Sequence, residues 1–466
     1  MVVPRRKGLL ATVHSVIRND PSRVAPTELL PVISDELTRR ILDLAMRIGE
    51  ALFAVGASAH DVTFAITRVT NAYHLHSVQV DVTYNSITAA HHHGDESRPI
   101  TLLRVVRVAS PDHAKLQRLQ ALVVDIDDGL ALDAARDAFR GIRRTPFLYR
   151  SPVVIVSRAV LAAGVAVLFD ASAIIVGLSF VAALCAALVQ AGLARLSVPS
   201  FFSQIAGAFV TTMVALIVAA LGSAGVEPFM GIRPTIIVAS GIVLMLAGLT
   251  VVAAAQDAID GFAVTAGGRI LDLTMQTIGV VLGILIGLEF ARVLGLGMVL
   301  PTDAIPLGSF AGQLAGAVII AIAVAVFNGA GLRIVVVSVV LSLIAISGYN
   351  ALALLDVHVA AASAVGALLA SFVGILVARR LHVPSVAVTT AAIVPLVPGL
   401  AVFRGLLGVM HSDGTAESLL TGAAPLVLAA MIGIGLAAGS SLGLYMGTPV
   451  RATLTSVAKS RSRVRR

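Results

Sequence analysis

Long runs of apolar residues fill the chain from residue 152 onward, and only short polar segments separate them. A run of about 20 apolar residues is long enough to cross the hydrocarbon core of a bilayer as a helix. The pattern therefore predicts an α-helical polytopic membrane protein with ten transmembrane helices. Their expected limits are 152–169, 172–192, 200–222, 232–254, 269–291, 305–327, 333–352, 357–378, 386–408 and 422–446.

Shorter and more mixed patterns precede these runs. Residues 1–33 are polar and have no sustained period, which predicts a flexible lead-in. Residues 34–150 predict a small cytosolic α/β domain. In it, an apolar face recurs at helical spacing up to Leu52, a capping box opens a second helix at Ser58, and Val78–Tyr84 alternates like a strand. Further strands and two more helices are expected before the membrane border.

Charge is divided unevenly along the chain, of which 57% is hydrophobic and 13% charged. Residues 1–150 hold 16 acidic and 19 basic residues, whereas residues 151–450 hold only 10 and 9. The longer stretch cannot form a water-facing surface, which excludes a soluble globule. The net charge of +8 includes six basic residues in the tail 451–466. A basic tail after a span suits a cytoplasmic end facing membrane lipids, so no nucleic-acid partner is expected.

The expected topology follows from the same charges. The basic start of the chain is not followed by an apolar signal sequence, so the N-terminal domain is expected in the cytosol. Ten spans then return the C-terminus to the cytoplasmic side of the cell membrane, and Lys and Arg are concentrated in the segments placed inside. The lone Cys185 excludes an intramolecular disulfide. A homo-oligomer is compatible with the pattern.

An internal repeat is visible at a shift of about 150 residues. The segment from Pro234 to Leu249 corresponds to that from Pro384 to Leu400, and glycines in the following spans correspond as well. These glycines are Gly279, Gly283 and Gly287 in one half and Gly435, Gly439 and Gly443 in the other. Two five-helix repeats, 151–302 and 303–450, must face the membrane in opposite directions, which is the inverted-repeat plan of secondary transporters.

The most informative polar residues lie between the fourth and fifth spans. Asp257 and Asp260 are three residues apart and share a face on a helix. A carboxylate held in a membrane either binds an ammonium group or carries a proton, because lipid makes its charged form costly. The alternative is an ordinary cytoplasmic loop after a capped helix end. The candidate site residues here are Gln256, Asp257, Asp260, Thr265, Arg269 and Asp272.

The counterpart in the second half carries Pro395, Pro398 and Gly399 inside one apolar span. These residues interrupt a helix and free backbone groups that must be covered by protein or line a cavity. The N-terminal end of the resumed helix would favour a substrate carboxylate, and Arg404 could add a bidentate contact. The alternative is a packing kink with an arginine that reaches the membrane surface. No cofactor or metal ion is expected.

With this N-terminal segment and these two membrane motifs, the chain resembles the threonine/serine exporter family of bacterial membrane proteins. The motifs are Gly56–Val62, the Val78–Tyr84 strand, Gln256–Gly261 with Val264–Ala266 and Arg269, and Pro395–Gly399. The likeness covers about residues 35–450. It implies a cytosolic domain, ten spans, and proton-driven export of L-threonine and L-serine. Where this chain has Ala247-Gly248, the family usually carries Pro-Gly.

Two other functions remain open at this stage. In a membrane-anchored hydrolase, Ser58, His60 and Asp61 would belong to a catalytic site that cleaves peptides or amides, although no common hydrolase motif is present. In an exporter of other small metabolites, the N-terminal domain would act as a gate. We expect a transporter rather than an enzyme.

Overall fold

The computed structural model describes residues 34–92, 99–106, 110–230, 232, 234–245, 248–295, 307–381, 383–410 and 412–464. The predicted lead-in 1–33 and the predicted repeat boundary at 302/303 lie outside these residues.

The N-terminal region, residues 34–144, combines helices with a small antiparallel sheet. Its elements are α1 Asp35–Ala54, α2 Ala59–Ala72, β1 Val78–Thr83, β2 Ser86–His91, β3 Ile100–Val105, α3 His113–Asp127 and α4 Leu132–Arg144. The central strand is β2, with Ile87 opposite Val82 on β1 and Ala89 opposite Leu102 on β3. The periodic apolar face predicted up to Leu52 is buried in α1.

Side-chain caps define where three of these helices begin. The Oγ of Ser34 accepts the N–H of Leu37, and that of Ser58 accepts the N–H of Asp61 at 3.0 Å. Asp112 caps α3 in the same way. Each cap satisfies a backbone donor that the first helical turn leaves free. The capping box predicted at Ser58 is therefore confirmed.

Within the described residues, eight helices are long and apolar enough to cross a membrane, so the chain is a multi-pass membrane protein. They are α5 Ser151–Leu168, α6 Ala173–Arg195, α7 Ser200–Ser223, α10 Ala263–Val293, α11 Phe310–Phe327, α12 Leu332–Ala353, α13 Val359–Leu381 and α16 Ala416–Val464. In the last two the apolar spans are Val359–Ala378 and Ala416–Gly447.

The other two predicted spans, 232–254 and 386–408, correspond to shorter helices. In the first, the structure describes α8 Pro234–Met245 and α9 Gly248–Ile259, and residues 246 and 247 lie outside the described part of the chain. The second is interrupted and consists of α14 Ser385–Ile393, a short 3-10 helix Val394–Leu396 and α15 Gly399–Met410. The nine residues of α14 rise only about 14 Å, which is less than the bilayer core of about 30 Å.

Two further boundaries differ from the sequence prediction. The helix α10 begins at Ala263 rather than at 269, because Gly261 adopts a φ of +90° and reverses the chain in a short turn. Arg269 and Asp272 therefore lie inside the helix. At the other end, α16 continues to Val464, so the predicted boundary at residue 450 does not end a helix.

Glycines allow close contact between two helices within each half of the membrane region. A Cβ added at Gly279 on α10 would lie 2.9 Å from the carbonyl oxygen of Phe201 on α7. One added at Gly435 on α16 would lie 2.6 Å from the carbonyl oxygen of Ala360 on α13. Small residues allow such backbone approach inside a membrane. The glycines that correspond in the sequence thus support the same kind of helix pair in each half.

The N-terminal region packs directly on one end of the membrane helices. Its buried side chains form one continuous cluster with residues of α11, α12 and α13. The N–H of His113 donates to the carbonyl oxygen of Asn328 at 2.8 Å, in the turn between α11 and α12. Next to it, the hydroxyl of Tyr149 donates to the carbonyl oxygen of Ala330 at 2.8 Å. We call this end of the membrane helices the covered end.

Candidate functional site

The candidate site lies where α9 turns into α10 at the covered end. The turn is short, because the N–H of Phe262 donates to the carbonyl oxygen of Asp257 at 2.7 Å. Phe262 packs against the buried cluster of the N-terminal region. Asp257 itself is helical and only 1% exposed, and the turn that follows it is a capped helix end, as the alternative expected.

Asp257 forms an ion pair with Arg269 across this turn. The Nε of Arg269 lies 2.9 Å from Oδ2 of Asp257, but its N–H does not point at that oxygen in hydrogen-bond geometry. Arg269 keeps about a quarter of its side chain exposed, at 23%. The buried carboxylate therefore has a cationic neighbour while one of its oxygens lacks a hydrogen bond. Such an oxygen is available to a further donor.

The N-terminal region adds more polar groups around Asp257. The backbone N–H of Ala59, in the first turn of α2, lies beside the Asp257 carboxylate, and the carboxylates of Asp61 and Asp260 are also near it. Burial raises the pKa of Asp61, and the charge of Asp260 raises it further, against the opposing effect of the Ser58 hydroxyl. Three carboxylates with one arginine make a group in which protons and cations compete.

Hydrogen bonds to β1 and its turn hold the start of α10. The hydroxyl of Thr265, fully buried, donates to the carbonyl oxygen of Val82 at 3.1 Å and accepts the N–H of Tyr84 at 3.1 Å. Two turns further along α10, the hydroxyl of Tyr84 donates to the carboxylate of Asp272. A Cβ at Gly268 would overlap the Tyr84 ring. The tyrosine thus lies flat against α10.

The contact with Asp272 keeps Tyr84 protonated. It is the main reason that the pKa of the Tyr84 phenol rises to about 12, with partial burial as the second cause. The phenol therefore donates to Asp272 throughout the physiological range, because its proton is lost only in strong alkali. Thr265 and Asp272, predicted as substrate or proton sites, are both partners of the N-terminal region in this structure.

Gln256 connects this site to the second half of the molecule. Its Nε2 donates to the hydroxyl of Ser440 on α16 at 2.9 Å. On the same short helix, Val252 and Ala255 pack in a cluster with Leu396 and Val397, which lie in the interruption between α14 and α15. The segment α8–α9 and the break between α14 and α15 therefore lie close together inside the molecule.

The second-half candidates occupy the predicted break. Pro395 lies in the 3-10 helix, and the buried Pro398 and Gly399 begin α15. The N–H of Val397 donates to the carbonyl oxygen of Val394 at 3.1 Å, which replaces the bond that Pro398 cannot make. Arg404 is half-buried on α15, on the opposite side of the break from α14.

Sequence reasoning missed the residues of the N-terminal region that complete the site. Ala59, Val82 and Tyr84 belong to the two N-terminal motifs identified above, and both motifs contact the membrane motif that contains Asp257. The coexistence of these motifs was the available signal. The hydrolase alternative has no support in this geometry, because Ser58 serves as the cap of α2 and His60 is exposed.

Fold and site together define a multi-pass helical membrane protein in which the segment α8–α9 ends at a buried carboxylate that pairs with an arginine next to the N-terminal region. A family model described as a putative threonine/serine exporter matches residues 43–291, and one described as threonine/serine exporter, ThrE, matches residues 313–442. The chain belongs to the threonine/serine exporter family.

Two relatives match almost the whole chain. The probable threonine/serine exporter of Mycobacterium tuberculosis is 31% identical over 96% of this chain and 84% of its own length. The threonine/serine exporter of Corynebacterium glutamicum is 30% identical over 96% of this chain and 90% of its own length. No solved structure matches. Both relatives are named exporters, which confirms the expected family and the expectation of a transporter rather than an enzyme.

Proposed function

We propose that this protein is a secondary transporter that exports L-threonine and L-serine across the cell membrane, driven by the proton gradient. The names of its two relatives support the substrate class. The observation that carries the mechanism is the buried Asp257, which lies near the end of α9, beside Arg269 and the N-terminal region. A buried carboxylate in a membrane protein is a natural site for a proton or an ammonium group.

The membrane part is an inverted repeat of five plus five crossings. In this arrangement α8 and α9 together cross the membrane once, and α14 and α15 together cross it once. Helices α5 to α10 then correspond to α11 to α16, and the glycine contacts of α7 with α10 recur between α13 and α16. An odd number of crossings per repeat reverses the second half relative to the first.

The covered end faces the cytoplasm, so the N-terminal region and the C-terminal tail lie inside the cell. The excess of Lys and Arg in the segments assigned to this side supports the orientation. A tail with six basic residues at 451–466 is suited to a side with anionic lipids.

The substrate binds between the segment α8–α9 and the break between α14 and α15. Asp257 receives either the substrate ammonium group or the driving proton, and Asp260 and Asp61 tune which of them it holds. The first turn of α15, at Pro398 and Gly399, directs backbone N–H groups and the positive end of the helix dipole toward the substrate carboxylate. Val252 and Ala255 belong to the same apolar cluster as Leu396 and Val397, which supports the closeness of the two elements.

The N-terminal region closes the inner entrance in this conformation. Ala59 and Tyr84 contact the same stretch that carries Asp257 and Asp272, so a substrate arriving from the cytoplasm meets the N-terminal region first. Export then requires the region to move away from the turn between α9 and α10. Four hydrogen bonds to the stretch from Asp257 to Asp272 and an apolar contact surface hold the region in this closed position.

Efflux from intact cells tests the proposal. Cells loaded with a mixed set of dipeptides that includes threonine and serine should release both amino acids through the wild-type protein, and an uncoupler should stop the release. Asp257→Asn should reduce efflux by at least about 10-fold, because one lost charge interaction in a buried site amounts to 1.4 kcal/mol or more.

The matched control is Asp413→Asn, an exposed carboxylate outside the site, with membrane levels of all proteins measured on blots. Efflux at the wild-type rate from cells carrying Asp257→Asn would contradict the role given to this residue. Release of unrelated metabolites instead of threonine and serine would favour the other exporter function.

A further inference from the structure

An arginine inside the first membrane helix is not used by the proposed mechanism. Arg158 is the eighth residue of α5 Ser151–Leu168, so it lies about 10 Å along the helix from its beginning at the covered end. A charged side chain at this depth is costly unless it faces the protein interior or water and finds a partner.

Its surroundings hold the guanidinium without neutralising it. The Cζ of Arg158 lies 4.6 Å from the centre of the Phe327 ring, a cation–π contact with the last residue of α11. Its Nε is buried and has no hydrogen-bond partner among the described residues. Across the part of the chain that the structure describes, no carboxylate lies within 4.0 Å of its nitrogens.

Arg158 is on the side of α5 that faces the protein. Val153 and Val156 are exposed on the lipid side, and the helical period places residue 158 roughly opposite to them. Leu161, which follows Arg158 on its own face, packs in a cluster with Ile320 of α11 and Ala391 of α14. The face that carries Arg158 is therefore directed toward α14, the first part of the interrupted helix α14–α15.

We propose that Arg158 binds the carboxylate of the amino acid as it enters from the cytoplasm, an inference that rests on the proposed exporter function. The planar guanidinium has one face on Phe327, which leaves its edge for the two oxygens of a carboxylate. Arg158 holds the carboxylate on entry, before the amino acid reaches Asp257 and the first turn of α15. An anionic lipid headgroup has similar chemistry but would have to reach a face turned away from the lipid.

Transport into inside-out proteoliposomes tests this role. Arg158→Gln should raise the KM for threonine about 10- to 100-fold with a smaller change in kcat, as expected for a lost charge-assisted contact. Threoninamide, which lacks the carboxylate, should compete weakly with threonine in the wild type and almost as well as unlabelled threonine in the variant. Arg158→Lys should recover part of the affinity, because it keeps the charge but not the planar fork.

The matched control is Arg292→Gln, which removes an exposed cation at the far end of α10 and should leave the KM unchanged. An unchanged KM in Arg158→Gln would overturn the proposal. So would a defect of Arg158→Gln that appears only in vesicles containing phosphatidylglycerol and not in neutral phosphatidylcholine vesicles, because that result assigns the arginine to lipid.

A second readout separates this inference from the exporter assignment. If wild-type vesicles carry no threonine, the proposed function fails, and Arg158 is then judged by thermal unfolding of the purified protein with lactate or with its methyl ester. Stabilisation by lactate alone, lost in Arg158→Gln but kept in Arg292→Gln, supports an anion site. Equal behaviour of both variants overturns it.

Discussion

The segment α8–α9 and the segment α14–α15 occupy corresponding places in the predicted repeat and differ in chemistry. In the first half, α9 carries near its end a buried carboxylate paired with Arg269. In the second half, Pro395 and Pro398 interrupt the helix, and residues 383–410 contain no acidic residue. In the proposed mechanism the two halves therefore have different tasks, because the first binds through charge and the second through backbone dipoles.

The N-terminal region reinforces this asymmetry. It contacts the first half through polar groups, with Thr265 and Asp272 as partners of β1 and its turn. It contacts the second half mostly through apolar side chains and one backbone hydrogen bond at Asn328. A closure held by polar contacts at the charged helix is suited to respond to protons and substrate there.

Removing the ion pair as a unit is the strongest test of the division. Asp257→Asn alone leaves Arg269 unpaired and should cost about 3–5 kcal/mol of stability along with export. The double variant Asp257→Asn with Arg269→Gln should recover most of the stability, measured by thermal unfolding in detergent, but not threonine efflux. Recovered efflux in the double variant would show that the pair is structural only.

Acidification should weaken the contact with the second half. Burial lowers the pKa of His113 to about 4 from an unperturbed value near 6.5, so folding favours its neutral form. The stability this contributes is complete above pH 6.5 and is lost as the pH falls toward 4, by about 3 kcal/mol in total. Hydrogen exchange in α3 should therefore speed up across this range in the wild type.

The control for this pH dependence is His113→Leu, in which the acid-induced change of α3 should be much smaller. The exposed His358→Gln should behave like the wild type. The same acid response in His113→Leu and in the wild type would assign the effect to other groups.

Loosening the contact with the first half should have the smallest effect. Tyr84→Phe removes the hydroxyl that donates to Asp272 but keeps the ring on Gly268, so it should cost about 1 kcal/mol. We expect faster hydrogen exchange at the start of α10 and a modest rise in the efflux rate. Tyr73→Phe, which loses a hydroxyl contact within the N-terminal region, is the matched control. A fall in efflux specific to Tyr84→Phe would indicate that this contact promotes transport rather than restricting it.

Much of the architecture could be predicted from the hydrophobic pattern, because lipid demands long apolar helices. Six of the eight uninterrupted helices lie close to their predicted limits, whereas α10 and α16 begin six residues earlier than predicted. The interruption between α14 and α15 was predictable, because Pro395 and Pro398 remove backbone donors and end a helix.

The predicted site residues come together only in part. Asp257, Asp260 and Arg269 are neighbours, as their spacing on one short segment suggested. The contacts of Thr265 and Asp272 with β1 and its turn join residues more than 180 positions apart, which no local pattern reveals. No local pattern distinguishes Arg158, and only its contact with Phe327 and its buried Nε do so.

The central claim is a substrate pathway between the segment α8–α9 and the break of α14–α15, and water access to this space tests it most directly. With the lone Cys185 replaced by serine, a cysteine at Ala255 should react with a membrane-impermeant thiol reagent applied from either side of transporting vesicles. Excess threonine should slow both reactions, and a cysteine at the lipid-facing Val156 should stay unreactive from both sides. A cysteine at Ala255 that reacts from neither side during active transport would contradict a substrate pathway between the two helices.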